Sequence, residues 1–414
     1  MKINRQQFLE QGFLILRNVI PPGMLENLRT SYEILVERQK AVWARERQPG
    51  DPPGGVWETA PQPRLRLHDT PELIDGKTAS VIDFWLHENT HGVSSRLLNM
   101  PETAHSEMFL LCSPVRDHGP AKWHRDIHPI DTAPLEGYVK DLQENGPRHL
   151  QWNIALYDDD VLWVIPGSHH RMNTEEEDRL MLANPRAPLP GGVAAELKAG
   201  DGVVYVSPGI LHWGSNYSSK LRRTIHGTYA IFTCYQDLSY TRHLSGAAQA
   251  TFERWVDRSQ SMQNLTESAL RAAMRKDAAA YQENLKKLQP GIGENGQLLL
   301  TIFLSKAAHL INILKCADFG AGSSDRRLED VPPGLRPWLT RAHPNSLNWG
   351  PQFAERFSQE EAQVLWERFE TLDARLQADE EKFAPGLLSE PMRYHFNELP
   401  ADLDMESFFA GWGS

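Results

Sequence analysis

Residues 202–213 read Gly-Val-Val-Tyr-Val-Ser-Pro-Gly-Ile-Leu-His-Trp. An apolar run of strand length, Gly202–Val206, reaches a Pro208-Gly209 turn and delivers His212 just beyond it. The same unit recurs between residues 80 and 235. Met108–Cys112, Gln151–Tyr157, Val161–Ile165 and Thr224–Phe232 are further short apolar or alternating runs. Pro166-Gly167-Ser168, Gly191-Gly192 and Gly200-Asp201 separate them. Short strands punctuated by turns predict a sandwich or barrel. The polar residues 131–149 interrupt the strands and read as an insertion loop.

On the N-terminal side, Gly12–Leu16 reads as a strand. Pro21-Pro22 then opens a helix with Leu25, Leu28, Tyr32 and Leu35 at three and four spacing. Residues 46–62, rich in Pro and Gly, read as a loop. After about residue 250 the pattern turns helical. Thr266–Leu288 and Gln297–Lys315 are candidate helices. A third starts at Ser358, where Ser358 and Glu361 form a capping box ahead of Ala362, Leu365, Phe369, Leu372 and Leu376. That apolar stripe must pack on this chain or on a second copy. The expected division is a core over 1–250 and a helical extension over 251–414, packed on the core or forming a homodimer interface.

The 414 residues carry a formal net charge of -11, which argues against a nucleic-acid binder, because such binding neutralises phosphates with Lys and Arg. Cys112, Cys234 and Cys316 are odd in number and widely spaced, so no disulfide framework or thiolate metal motif is read. A reducing, cytoplasmic setting is expected. Residues 1–7 lack the apolar run of a signal peptide. Leu298–Leu314 contains Lys306 and His309 and reads as a buried helix, not a membrane span.

The chemistry-bearing residues lie in two separated stretches. One is Trp123-His124-Arg125-Asp126. The other is His212, followed about ten residues later by Arg222-Arg223. On a strand, positions 124 and 126 share a face, so one imidazole and one carboxylate can reach one ion. Two imidazoles and a carboxylate on one metal leave open positions on one side, the arrangement of non-haem Fe(II) oxygen chemistry. With 16 histidines a His-x-Asp triplet arises by chance, so the triplet alone decides nothing.

Context on both sides changes that. The chain resembles the phytanoyl-CoA dioxygenase family of Fe(II)/2-oxoglutarate oxygenases, in five segments that occur in the family's order. Phe8–Leu28 resembles its opening strand and Pro-started helix. Trp123–Asp126 resembles its Trp-His-x-Asp. Leu162–His169 resembles its Ile-Pro-Gly-Ser-His segment. Ala199–Val206 with Leu211-His212 resembles its Gly-Asp strand before the distal ligand. Asn216-x-Ser218 followed by Arg222-Arg223 resembles its Asn-x-Ser-x-x-x-Arg.

The resemblance implies a double-stranded β-helix (jelly roll) flanked by helices. It makes His124, Asp126 and His212 the expected iron ligands. An arginine after His212 is expected to hold the far carboxylate of 2-oxoglutarate, since a guanidinium grips a carboxylate by two charge-assisted bonds. Counting from Asn216 selects Arg222, and counting from His212 in the commoner family spacing selects Arg223. Arg222 is preferred, and only one of the pair can face inward. Ser215 and Asn153 are weaker candidates for contact with 2-oxoglutarate. Trp123, Trp152, Trp163 and Trp213 are expected to pack in the core. His128 is expected in an exposed loop, and Ser168 with His169 in a structural turn. Arg64, Arg66, Arg125 and Arg148 could receive an anionic group but are expected at the surface.

The implied activity, with O2 as co-substrate, is hydroxylation or desaturation of a small molecule of specialised metabolism. Asp126, where related halogenases carry a small residue, disfavours halogenation. The alternatives are a non-redox metal-binding jelly roll, an inactive ligand-binding relative, a zinc hydrolase on the same ligands and a helical interaction protein.

Overall fold

The computed structural model describes residues 1–127, 132–232, 238–316, 331, 334–377, 382–385, 391–394 and 398–412. His128 and Cys234 lie outside them.

Among the described residues, nine strands build the core: β1 (Phe13–Leu16), β2 (Arg64–Arg66), β3 (Ala104–Cys112), β4 (His149–Ala155), β5 (Leu162–Val164), β6 (Val193–Ala194), β7 (Gly202–Val206), β8 (His212–Gly214) and β9 (Arg223–Ala230). A six-stranded antiparallel sheet runs β1-β7-β4-β9-β3-β2, and a three-stranded sheet runs β6-β5-β8. This is the jelly-roll core. The order mixes early and late strands, so neighbours in the sheet are remote in sequence.

Strand alternation sorts the large sheet into two faces. Leu65, Met108, Leu110, Leu150, Trp152, Ile154, Val204 and Ile225 turn outward into a hydrophobic cluster. The helix Pro22–Arg45 closes that face. Pro22 sits in its first turn, and Leu28, Tyr32, Leu35 and Val36 are fully buried in the same cluster. Each such side chain contributes roughly 1.5–3 kcal/mol by leaving water. The other face carries Arg64, Arg66, Glu107, Phe109, His149, Gln151, Asn153, Tyr205, Arg222 and His226, all lining one cavity.

Residues 46–62, expected as a loop, hold a short helix, Val56–Thr59, and two longer elements also differ from expectation. Residues 131–149 are not simply a loop, because Leu135–Asn145 is a helix. Leu135, Tyr138, Val139 and Leu142 have helical spacing, Pro134 precedes the helix and Gly146 follows it at φ 78°. Thr266–Leu288 is also not one helix. Gly246–Met274 ends, Lys276 takes a left-handed φ of 58°, and Asp277 caps a new helix, Ala278–Leu288, by accepting from the Ala280 N–H at 3.0 Å.

The helix Glu294–Cys316 is long and apolar enough to cross a membrane, and 83% of its most apolar window is buried inside the protein. It packs against Gln359–Gln377, where the capping box forms: Ser358 Oγ accepts from the Glu361 N–H at 3.1 Å, and Glu361 accepts from the Ser358 N–H at 2.9 Å. Ala362, Leu365, Phe369, Leu372 and Leu376 are buried in this chain's own second hydrophobic cluster. Ile231 and Phe232, which follow β9, join the same cluster, so the helices are continuous with the β core.

Candidate active site

The site begins with a backbone pairing. The His124 N–H donates to the His212 carbonyl, and the His212 N–H donates back to the His124 carbonyl, both at 3.0 Å. Residues opposed in such a pair project side chains to the same side. The two imidazoles therefore stand together, with ring centroids 4.2 Å apart. Residues 123–126 form only this single bridge and no longer strand. Asp126 follows on a bend and still returns to the histidines. Its two oxygens lie 3.6 Å from His124 Nε2 and 3.6 Å from His212 Nε2.

Backbone acceptors orient both rings. His124 Nδ1 lies 2.8 Å from the Lys122 carbonyl, and His212 Nδ1 lies 3.0 Å from the Ile210 carbonyl. A carbonyl accepts only, so each Nδ1 carries a proton, and in the neutral ring Nε2 then presents a lone pair. Burial, then the neighbouring His212 ring, pulls the His124 pKa down to about 3. His124 is thus neutral, the form a metal needs. One ligand atom from each of His124, Asp126 and His212 lies within 4.8 Å of the others. Two oriented lone pairs and a carboxylate converging on one point fit a divalent first-row ion.

Neighbouring turns brace this arrangement. Ser168 Oγ accepts from the Leu211 N–H at 2.9 Å, next to His212. Arg125, expected at the surface, is instead buried. It donates to the Ser168 and Gly209 carbonyls and to Asn173, and so ties the His124 segment to two turns. Beneath the triad, Trp123 stacks on Trp213 at 5.2 Å, with Trp163 edge-on to Trp213 at 5.8 Å. Trp152 packs on the far face. His169 is buried against the Leu9 carbonyl at 3.0 Å, as a structural turn requires.

The arginine pair separates as strand alternation demands. Arg222 turns into the cavity. Its Nε donates to Asp159 Oδ2 at 2.9 Å, while its Nη1 is buried with no hydrogen-bond partner among the described residues. Burial alone raises the Asp159 pKa, but the Arg222 charge and the bond from Thr224 hold it below the usual carboxylate range. Asp159 thus fixes a cation whose outer nitrogen has nothing to hold, a site suited to an incoming carboxylate. Arg223 turns out, 3.0 Å from Glu33 on the Pro22–Arg45 helix, so it does not reach the cavity. Ser215 does not line the cavity either: its N–H donates to the Val161 carbonyl at 2.8 Å. Asn153 does line it and accepts from His226 Nδ1 at 2.6 Å.

The cavity measures about 600 Å³, within the range of small-molecule sites. Several lining residues escaped the sequence reading: Glu107, His149, Gln151, Tyr205 and His226. Burial, then the Arg64 charge, lowers His226 to about 3, and burial lowers His149 to about 4. Glu107 is touched by cavity solvent yet ringed by protein, and that burial lifts it to about 7 against the pull of Arg66. Arg64 and Arg66 are exposed, as expected, and also line the cavity. Arg148, also expected at the surface, has a side chain only 10% exposed and is bound to Asp141.

Residues 8–224 match the phytanoyl-CoA dioxygenase (PhyH) family, just over half the chain. The protein belongs to that family, and Fe(II), 2-oxoglutarate and O2 are the cofactor and co-substrates of its oxygenases. Comparison with curated proteins found no significant match. Solved structures similar to the chain include AviO1 from Streptomyces viridochromogenes Tue57, at 19% identity and TM-score 0.38, covering 56% of this chain and 96% of that one. The 2-oxoglutarate-dependent carbocyclase SnoK from nogalamycin biosynthesis aligns at 19% identity and TM-score 0.37, covering 56% and 83%. EctD from S. alaskensis aligns at 17% identity and TM-score 0.38, covering 55% and 75%.

Proposed function

We propose that the protein oxidises an unactivated C–H bond of a small molecule, by hydroxylation or desaturation, as an Fe(II)- and 2-oxoglutarate-dependent enzyme. The observation that carries this reading is the pairing of the His124, Asp126, His212 cluster with the unfilled nitrogen of Arg222 on the wall of one cavity. A zinc hydrolase needs the first feature and leaves the second without a task.

His124, Asp126 and His212 would hold the iron, and Arg222, steadied by Asp159, would receive the distal carboxylate of 2-oxoglutarate. Bound there, the metal and its co-substrates supply oxidative decarboxylation to succinate and CO2 coupled to C–H oxidation. The protein's share is orientation and exclusion of water. The Lys122 and Ile210 carbonyls keep both rings in the metal-binding tautomer. Asn153 holds His226, and Phe109 stacks on His226 with centroids 5.7 Å apart, on the wall of the same cavity as Arg222.

Purified protein supplied with Fe(II), ascorbate and 2-oxoglutarate should form succinate only when O2 is present. His212→Ala and Asp126→Ala should abolish that turnover. Succinate formed equally by these variants, or without oxygen, would remove the basis for the proposal. A metabolite screen read as substrate-stimulated 2-oxoglutarate consumption would then identify the compound oxidised.

A further inference from the structure

The protein is acidic overall, yet its cavity has a cationic wall that the triad and Arg222 do not use. Arg64 and Arg66 stand two residues apart on the edge strand β2, so both face inward. Arg341 reaches the same cavity from residues 334–346, in the helical part of the chain, together with Pro337 and Trp338.

None of the three is tightly neutralised among the described residues. Arg64 donates to the Gln62 side-chain oxygen at 3.0 Å. Arg66 approaches Asp69 only to 3.8 Å. Arg341 stacks on Trp338, 4.7 Å from the ring centroid. The other lining cations are committed: Arg148 to Asp141 and Arg222 to Asp159. Facing Arg64, Arg66 and Arg341 is Glu107, which burial leaves partly protonated near neutral pH.

The cationic wall also connects to the floor of the site. Cross-strand register runs Arg66, Phe109, His226, Asn153 across the sheet. Arg66 lies 5.2 Å from the Phe109 centroid, and Phe109 stacks on His226 at 10°. A guanidinium over a ring face keeps N–H donors free for an oxyanion.

We infer that this wall binds an anionic group of the substrate. The substrate class is thus a small molecule with a carboxylate or phosphate monoester at one end. That end sits between β2 and the Trp338–Arg341 segment while the other end reaches the triad. The inference deepens the proposed function and rests on it for the identity of the cavity as a substrate site. It also assigns residues 334–346 a task, which is to complete the recognition wall.

The test is binding, not turnover. Tryptophan fluorescence of the anaerobic protein with Fe(II) and saturating 2-oxoglutarate would be titrated with benzoate, phenyl phosphate and neutral benzyl alcohol. The expected result is saturable binding of at least one anion about tenfold or more tighter than benzyl alcohol, consistent with one to two charge-assisted bonds. Preference for benzoate or phenyl phosphate tells which oxyanion is bound. The preference should fall about tenfold in Arg64→Gln/Arg341→Gln and persist in Arg242→Gln, an exposed arginine away from the cavity. Arg64→Lys, which keeps charge but not the fork, should fall between. Arg64 and Arg341 are exposed, so these variants should fold, and their melting temperatures check that. Anions that bind no better than benzyl alcohol, or as tightly to the double variant, overturn the inference. Intact 2-oxoglutarate turnover beside such a result leaves the proposed function standing. Absence of wild-type turnover with anion binding intact removes the proposed function and keeps only the anion-binding wall.

Discussion

At the scale of single residues, the site depends on which way two adjacent arginines point. Arg222 and Arg223 are chemically identical and one residue apart, yet one meets Asp159 inside and the other Glu33 outside. Arg222→Leu should weaken 2-oxoglutarate binding about tenfold to hundredfold, the worth of a charge-assisted pair of roughly 1.5–3 kcal/mol. Arg223→Leu breaks a pair whose Glu33 is half-exposed and should change that affinity by less than about twofold. Equilibrium binding of 2-oxoglutarate to both variants checks this; equal losses would contradict the assignment. The sequence nominated this pair and preferred Arg222, although the two reference points for counting differ by one residue. The register of β9 against β3, with Arg223 opposite Cys112, turns Arg222 and not Arg223 toward the cavity. The candidate metal triplet was readable because His124, Asp126 and His212 sit in recognisable local patterns. Glu107, His149 and His226 were not, since alternation shows which residues share a face and not which face encloses a cavity.

At the scale of elements, the helix Leu135–Asn145 links the jelly roll to the helices. It lines the cavity with Tyr138, Asp141 and Leu142, and Glu136 accepts from the Leu399 N–H. Its periodicity was present in Leu135, Tyr138, Val139 and Leu142, but the polar residues on either side masked it. Asp141 pairs with Arg148 Nε at 2.6 Å, with side chains only 4% and 10% exposed. Asp141→Ala strands a guanidinium away from water and should cost about 3–5 kcal/mol. Urea or thermal unfolding would measure it, and a loss below about 1 kcal/mol would show that the pair is effectively solvated. The break between Gly246–Met274 and Ala278–Leu288 was hidden for another reason: Lys276 takes the left-handed turn usually given to glycine, and only Asp277 marks the restart.

At the scale of the molecule, the buried histidines set the response to acid. Burial lowers His149 to about 4, His169 to about 4 and His226 to about 3, against an unfolded value near 6.5. Between pH 6.5 and about 4 the unfolded chain therefore binds more protons than the folded one, so this stability is present above pH 6.5 and is lost as pH falls. Glu107, raised to about 7, acts in the opposite sense over part of that window and offsets one histidine. The metal-free protein should melt at a lower temperature at pH 5 than at pH 7. A melting temperature unchanged over that range would mean these rings are hydrated. The overall plan, strands first and helices after, was legible because periodicity changes from two to about 3.6 near residue 250. The joining of the two parts was not, since Ile231, Phe232 and the Trp338–Arg341 segment gain their neighbours only in three dimensions.

The most direct test is anaerobic titration of the protein with Fe(II) in the presence of 2-oxoglutarate, read by the metal-to-ligand charge-transfer absorption of the chelate. The wild type should saturate at one iron per chain, His124→Ala and His212→Ala should show no band, and Arg222→Leu should show it only at higher 2-oxoglutarate. An undiminished band after both histidines are replaced would mean that iron is held elsewhere.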